Sequence, residues 1–294
     1  MMVLLLTGLF VFTWSSGFIV AKAIVPYADP TLFLFVRVCI SAVIFGVVAL
    51  RADVRWPAWR DVPKHLLAGM LLQGLYLSGT YWAVADGLPP AVMALLGSLQ
   101  PLLTAVLAIP ILKEIPTRRI WFGLALGVVG VFCVIQPALG AVGGASFTVG
   151  AIMTGLLAVL SITFGTILQK TSIAAVDIRV SSVLQNIGTM LFTGLFVWIR
   201  GEHRWIWSPQ LWASLLWASV VLTCIGTMLL LWIIRRGQVA TASSLMFLAP
   251  PLAAVEAYVL FGDKLGLVQL GGFVLALVGV AACNMRRPLK PSVD

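Results

Sequence analysis

Residues 101–130 read PLLTAVLAIPILKEIPTRRIWFGLALGVVG, and residues 250–279 read PPLAAVEAYVLFGDKLGLVQLGGFVLALVG. Laid over each other at an offset of 149 without a gap, Pro101 falls on Pro250, Glu114 on Asp263, Gly123 on Gly272, Leu126 on Leu275 and Gly130 on Gly279. Outward from this stretch the register barely changes. At an offset of 148, Gly17 meets Gly165, Lys22 meets Lys170 and Asp29 meets Asp177; at 150, Ala68 meets Ala218, Trp82 meets Trp232 and Gly87 meets Gly237. Each match alone is weak in so apolar a chain, but agreement on nearly one register points to an internal duplication. The expected units are residues 1–145 and 146–294, together forming one membrane domain.

Both units are too apolar for water. The 294 residues are 61% hydrophobic and 10% charged, and mean hydropathy is +1.07. A soluble fold must leave a large polar surface facing solvent, which this composition does not supply. A bilayer core about 30 Å thick instead takes roughly 20 apolar residues per helix. Charges, prolines and glycines divide the chain into spans at 2–22, 30–50, 65–85, 90–112, 119–137, 147–168, 179–200, 211–234, 239–261 and 267–285. These runs are too long for strands and lack period-2 alternation. The first lacks a basic leader and a cleavage site, so it reads as a retained helix. Cys39, Cys133, Cys224 and Cys283 lie singly inside apolar segments, where cysteine serves as a small packing residue.

The net charge of +9 comes from residues at span ends, not from a basic run interleaved with aromatics, so a nucleic-acid partner is excluded. With the N-terminus inside, fourteen Lys and Arg residues fall on the cytoplasmic side. Only Lys22, Arg200, Arg204 and Lys264 fall outside. Adding or removing one span would blur this separation, so the bias supports the count of ten and places both termini in the cytoplasm. The expected fold is therefore all-α: ten transmembrane helices in two five-helix repeats around a central cavity. Five is odd, so the second repeat enters the membrane inverted. Inverted halves suit a carrier whose central site opens first to one side and then to the other.

Several pieces then resemble the drug/metabolite transporter superfamily, and within it the EamA family of bacterial exporters. They are Trp14-Ser-Ser-Gly-Phe-Ile-Val-Ala-Lys22, Arg37, and Pro101-Leu-Leu-Thr-Ala running to Lys113-Glu114. In the second half they are Pro250-Pro-Leu-Ala-Ala and Gly262-Asp263. The resemblance covers essentially the whole chain. Two positions depart from it: Gln185 stands where the first half has Arg37, and Asp263 where Glu is usual. It implies a multi-pass protein of the bacterial inner membrane. It also implies export of small metabolites, amino acids among them, with aromatic amino acids favoured by some members.

Arg37 is the outstanding polar residue inside a span. A cation there costs roughly 2.5–3.5 kcal/mol on insertion scales, so it faces a cavity or a partner. Glu256 lies at a similar outer depth, on one helical stripe with Ala249 and Ala253. The repeat register maps those alanines onto Gln100 and Thr104, which turns Glu256 inward by analogy. Either Arg37 and Glu256 form an outer polar site, or each snorkels to its own interface. Further cavity candidates are Gln73, Tyr76 and Thr80 on the third span, and Trp14 and Phe18 on the first. Gln100 and Thr104 form a polar stripe on the fourth span. The comparable positions in the second half are Thr163 and Thr166, Thr223 and Thr227, and Ser243 with Phe247, and Gln185 takes the place of Arg37. Such a lining suits a neutral or zwitterionic substrate with an apolar or aromatic part. Pro101, Pro250 and Pro251 occupy mid-span places where a missing N–H permits a hinge. Gly123-xxx-Gly127 and Gly272-xxx-Ala276 permit close helix approach and read as packing. Glu114 and Asp263, beside Lys113 and Lys264, read as interfacial anchors.

No HExxH pair, GxSxG elbow or intramembrane aspartate pair is present, which argues against an enzyme and implies no metal or cofactor. No filter sequence or charged ring suggests a channel. The expected partners are a small-molecule substrate and lipid. Proton coupling or facilitated diffusion, and monomer or homodimer, stay open, as does drug efflux as the alternative to amino-acid export.

Overall fold

A computed structural model of the chain describes residues 2–51, 54–100, 103–104, 106–107, 118–140, 148–169, 173, 176–226, 229, 249–263 and 265–284. The helices in order are α1 (Met2–Ala23), α2 (Pro30–Leu50), α3 (Val62–Gly69), α4 (Tyr76–Ala85), α5 (Pro90–Gly97), α6 (Arg118–Gly140), α7 (Val149–Leu168), α8 (Ile178–Arg200), α9 (Pro209–Leu216), α10 (Ala249–Phe261) and α11 (Leu267–Asn284). Two π-helical segments are described in full beside them. Met70–Leu75 joins α3 to α4 in one rod, and Trp217–Ile225 extends α9. Each of the ten expected spans meets one of these described rods. Three helices, Pro30–Leu50, Val149–Leu168 and Ile178–Arg200, are by length and composition apolar enough to cross a membrane. Among the described residues there is no strand, only an isolated antiparallel bridge between Ala28 and Trp205.

Local chemistry sets the helix ends. Asp29 and Asp177, equivalent in the repeat register, precede α2 and α8. Asp177 accepts a hydrogen bond from the Arg179 N–H, and Thr148 and Ser208 cap α7 and α9 in the same way. Pro30 and Pro209 stand at the first helical position, where a missing N–H costs nothing. Gly201, at φ 63°, ends α8 in the left-handed conformation that favours glycine.

Packing pairs α2 with α8 and α6 with α11, while α5 lies against α10. α1 packs on α10 and on the π segment Trp217–Ile225; α7 packs on α5 and on the π segment Met70–Leu75. The α6–α11 contact is set by glycine. A Cβ on Gly130 would reach the backbone of Gly272 and Ala276, and one on Gly279 would lie 2.6 Å from Gly123 O and Gly127 N. The small-residue pattern is thus a backbone-to-backbone seam inside the chain. Large apolar side chains point outward, among them Trp198 (79% exposed), Val259 (71%) and Leu267 (88%). In a bilayer these meet lipid tails rather than water.

The first π segment carries its own backbone support. A π turn shifts the hydrogen-bond ladder and leaves carbonyls in need of donors. Ser161 Oγ donates to the Leu71 carbonyl at 2.8 Å, and Thr189 Oγ1 lies 2.9 Å from the Gly69 carbonyl. In the second π segment the donors are local: Thr223 Oγ1 reaches the Ala218 carbonyl five residues back, and Cys224 Sγ that of Ser219.

Candidate functional site

Arg37 sits two turns into α2, buried to 8% exposure. Its Nη1 donates to Tyr81 Oη at 3.4 Å, and its Nη2 to Thr223 Oγ1 at 3.3 Å. Both contacts are at the long limit of a hydrogen bond. Among the described residues no carboxylate lies within ion-pair distance of the guanidinium. The α4 rod and the second π segment therefore present one phenol and one hydroxyl to a buried cation with donors to spare. Tyr81 follows Thr80 in sequence; the helical stripe Gln73, Tyr76, Thr80 passes it by, which is why spacing alone did not select it.

The other expected site residues fall into separate groups. Gln100 Nε2 donates to Thr166 Oγ1 at 3.0 Å, linking the fourth and sixth spans, and Thr104 Oγ1 donates to the Gln100 carbonyl at 2.8 Å. Thr163 is fully buried and donates back along its own helix to Val159 O. Gln185 Nε2 donates to Ser181 Oγ, which also lies 3.0 Å from His65 Nδ1. Gln73 is half-buried in the π segment, while Tyr76 and Thr80 are buried beyond it. Phe18 is buried, and Trp14 packs on Phe10 with ring centroids 5.8 Å apart. Thr227, Ser243, Phe247 and Pro101 lie outside the described residues.

Glu256 does not pair with Arg37 in this conformation. Its Oε1 lies 2.7 Å from Ser15 Oγ on α1, whereas Arg37 meets Tyr81 and Thr223. Ala249 and Ala253, on its stripe, are buried. Pro250 and Pro251 lie at the start of the described part of α10, and the residues before Ala249, which the mid-span hinge expectation needs, lie outside the described residues. Asp263 is likewise more than an anchor: both its oxygens receive Lys22 Nζ, tying the end of α1 to the end of α10. Ser16, unselected by spacing, accepts from Trp217 Nε1 at 2.8 Å and joins α1 to the second π segment.

A rim of charged contacts closes the same end of the bundle as Lys22. Asp29 accepts from the backbone N–H groups of His203 and Arg204 and from Arg204 Nε at 3.1 Å. Partial burial pushes its carboxyl up, but these hydrogen bonds and the Arg204 charge prevail and hold it below the ordinary 3.8. Glu202 accepts from Thr31 Oγ1, the Leu32 N–H and Trp82 Nε1. Beside it the Arg200 guanidinium lies over the Trp82 ring, 4.3 Å from its centroid. A cleft of about 320 Å³ opens here, lined by Asp29, Trp82, Asp86, Arg200 and Glu202. None of the expected cavity residues lines it.

An all-helical bundle with lipid-suited flanks and a buried, polar-lined cation defines a multi-pass membrane protein of the transporter class. The EamA-like transporter family matches the chain twice, over residues 1–136 and 149–285, and the chain belongs to that family. It is 25% identical over 289 residues to the uncharacterized transporter YvbV of Bacillus subtilis, covering 96% of this chain and 91% of that one. An uncharacterized transporter of Synechocystis sp. is also 25% identical, over 95% of this chain and 88% of its own length. A solved crystal structure, 17% identical, shares the fold with a TM-score of 0.63 over 95% of this chain and 94% of its own.

Proposed function

We propose that this transporter exports small metabolites, foremost amino acids with apolar or aromatic side chains, by alternating access between two inverted repeats. The observation that carries the substrate class is Arg37. A buried guanidinium with weak neutral partners and no described acid suits a carboxylate, and Tyr81 and the buried aromatic residues near it suit an apolar side chain. Gln100, Thr104, Thr163 and Thr166, grouped apart from Arg37, are neutral and bring no second fixed charge, which favours a zwitterion.

Three features support the alternating scheme. One family matches each half. The contacts exchange when the halves are exchanged: α1 on α10 answers α7 on α5, and α1 on the second π segment answers α7 on the first. The two π segments also coincide at the offset of 150, Met70–Leu75 falling on residues 220–225. Cytoplasmic termini, from the Lys and Arg bias, place the Lys22–Asp263 end outside.

The test is flux in proteoliposomes carrying the purified full-length chain, with a panel of amino acids and with or without a pH gradient. Saturable movement of aromatic or large apolar amino acids is expected. No flux for any amino acid, together with efflux of an apolar drug in a cell-based resistance screen, would overturn the substrate class in favour of drug export.

A further inference from the structure

Glu256 is the only one of ten acidic residues placed within a span rather than at its end or in a loop. The repeat register sharpens this: Glu256 falls on Leu107 and its partner Ser15 on Thr163, so one half carries a carboxyl that the other lacks. The hydrogen count at this contact is informative. Ser15 Oγ lies 2.9 Å from the Phe12 carbonyl and 2.7 Å from Glu256 Oε1, yet the hydroxyl has a single hydrogen. A carbonyl can only accept. If Ser15 donates to Phe12, the short contact to Oε1 needs a hydrogen from the glutamate itself. Among the described residues Glu256 Oε2 is buried with no hydrogen-bond partner. That suits the carbonyl oxygen of a neutral acid and not half of a buried negative charge. Among the described residues no cation lies within ion-pair distance of Glu256. Of the elements packed on α10, α1 carries only Lys22, which is engaged by Asp263, and α5 carries no titratable group. On α10 itself the only other titratable side chain is Tyr258.

We infer that Glu256 is a proton-binding site of the transport cycle, loaded in this conformation, with Ser15 as the acceptor of its proton. The loaded form joins α1 to α10 along the seam that Lys22 and Asp263 close at its end. On ionisation the proton passes to water, and the carboxylate left behind requires water between the two helices, so release loosens the seam. A seam that recloses on a proton taken from outside couples substrate efflux to proton entry. This rests on the export reading above, and the first measurement below is independent of it.

Infrared spectroscopy of the full-length protein in liposomes reads the carboxyl directly. At neutral pH the wild type is expected to show the C=O stretch of a neutral carboxylic acid. E256Q should lack that band, and S15A should move it while keeping the fold. Absence of the band, or its persistence unchanged in E256Q, overturns the site. Flux then tests the coupling, with the membrane potential clamped. One proton per substrate supports about tenfold accumulation per unit of pH gradient. E256Q should abolish this accumulation and retain downhill exchange. A titrating band with accumulation indifferent to the gradient overturns the coupling, and exchange of no substrate by any variant overturns the export reading alone.

Discussion

Replacing Arg37 by glutamine separates recognition from architecture, because the two roles predict opposite signs. The guanidinium contacts Tyr81 and Thr223 at 3.4 and 3.3 Å, each worth at most about 1 kcal/mol at that length. Removing a cation from inside a span returns roughly 2.5–3.5 kcal/mol on insertion scales. R37Q should therefore melt at or above the wild-type temperature. A substrate carboxylate held by two charge-assisted hydrogen bonds would lose about 2–4 kcal/mol, or roughly 30- to 700-fold in affinity. The assay is a cycle: the amino acid with the best flux and its carboxamide, each measured on wild type and R37Q. Discrimination between the two ligands should collapse to within about threefold in R37Q, since the coupling energy belongs to the pair. R37K, which keeps the charge but not the planar fork, should fall between. The reasoning is refuted if R37Q discriminates as well as wild type. It is equally refuted if R37Q loses its fold, which would make Arg37 a structural residue.

Other consequences are checked more simply. Gly279→Ala places a Cβ 2.6 Å from backbone atoms of Gly123 and Gly127 that cannot give way, and should cost about 1–3 kcal/mol in detergent unfolding. Gly46→Ala, with nothing within 4 Å, is the control and should be neutral or slightly stabilising. The Asp29 carboxyl is held below 3.8, so its contribution is present above that value and is lost as pH falls through the lower folded value. Melting temperature followed into acid should therefore fall less steeply in D29N; equal slopes would count against the Asp29–Arg204 contact. Breaking the Lys22–Asp263 pair with K22A should raise the labelling rate of a cysteine placed in the α1–α10 seam. The charge swap K22D/D263K should restore protection.

Span positions were legible because a bilayer demands long apolar stretches, and a stretch such as 179–200 leaves little choice of start or end. The paired aspartates before α2 and α8 were legible in the repeat, but not that Asp177 caps its helix while Asp29 binds Arg204. Azimuth was not. Depth arguments put Arg37 and Glu256 at one level, but which neighbour a side chain meets depends on how rods are turned, and packing set Glu256 against Ser15. The π segments were invisible for a related reason: an extra residue in a turn leaves the apolar pattern of Met70–Leu75 unaltered. The rim that gathers Glu202, Thr31 and Trp82 joins residues up to 171 positions apart, and no local spacing encodes such a contact.

The paired π segments have a mechanical meaning. A π turn is a helix holding one surplus residue, and it behaves like a dislocation in a crystal. It can glide, each hydrogen bond that shortens on one side being matched by one that lengthens on the other. Each step of that glide carries one residue past the fault, turning it about 100° and moving it about 1.5 Å along the axis. A rod holding such a fault can twist one end against the other without melting and without a proline. With one fault in the third rod and its counterpart in the eighth, the bundle has a built-in place to absorb torsion on each side of its centre.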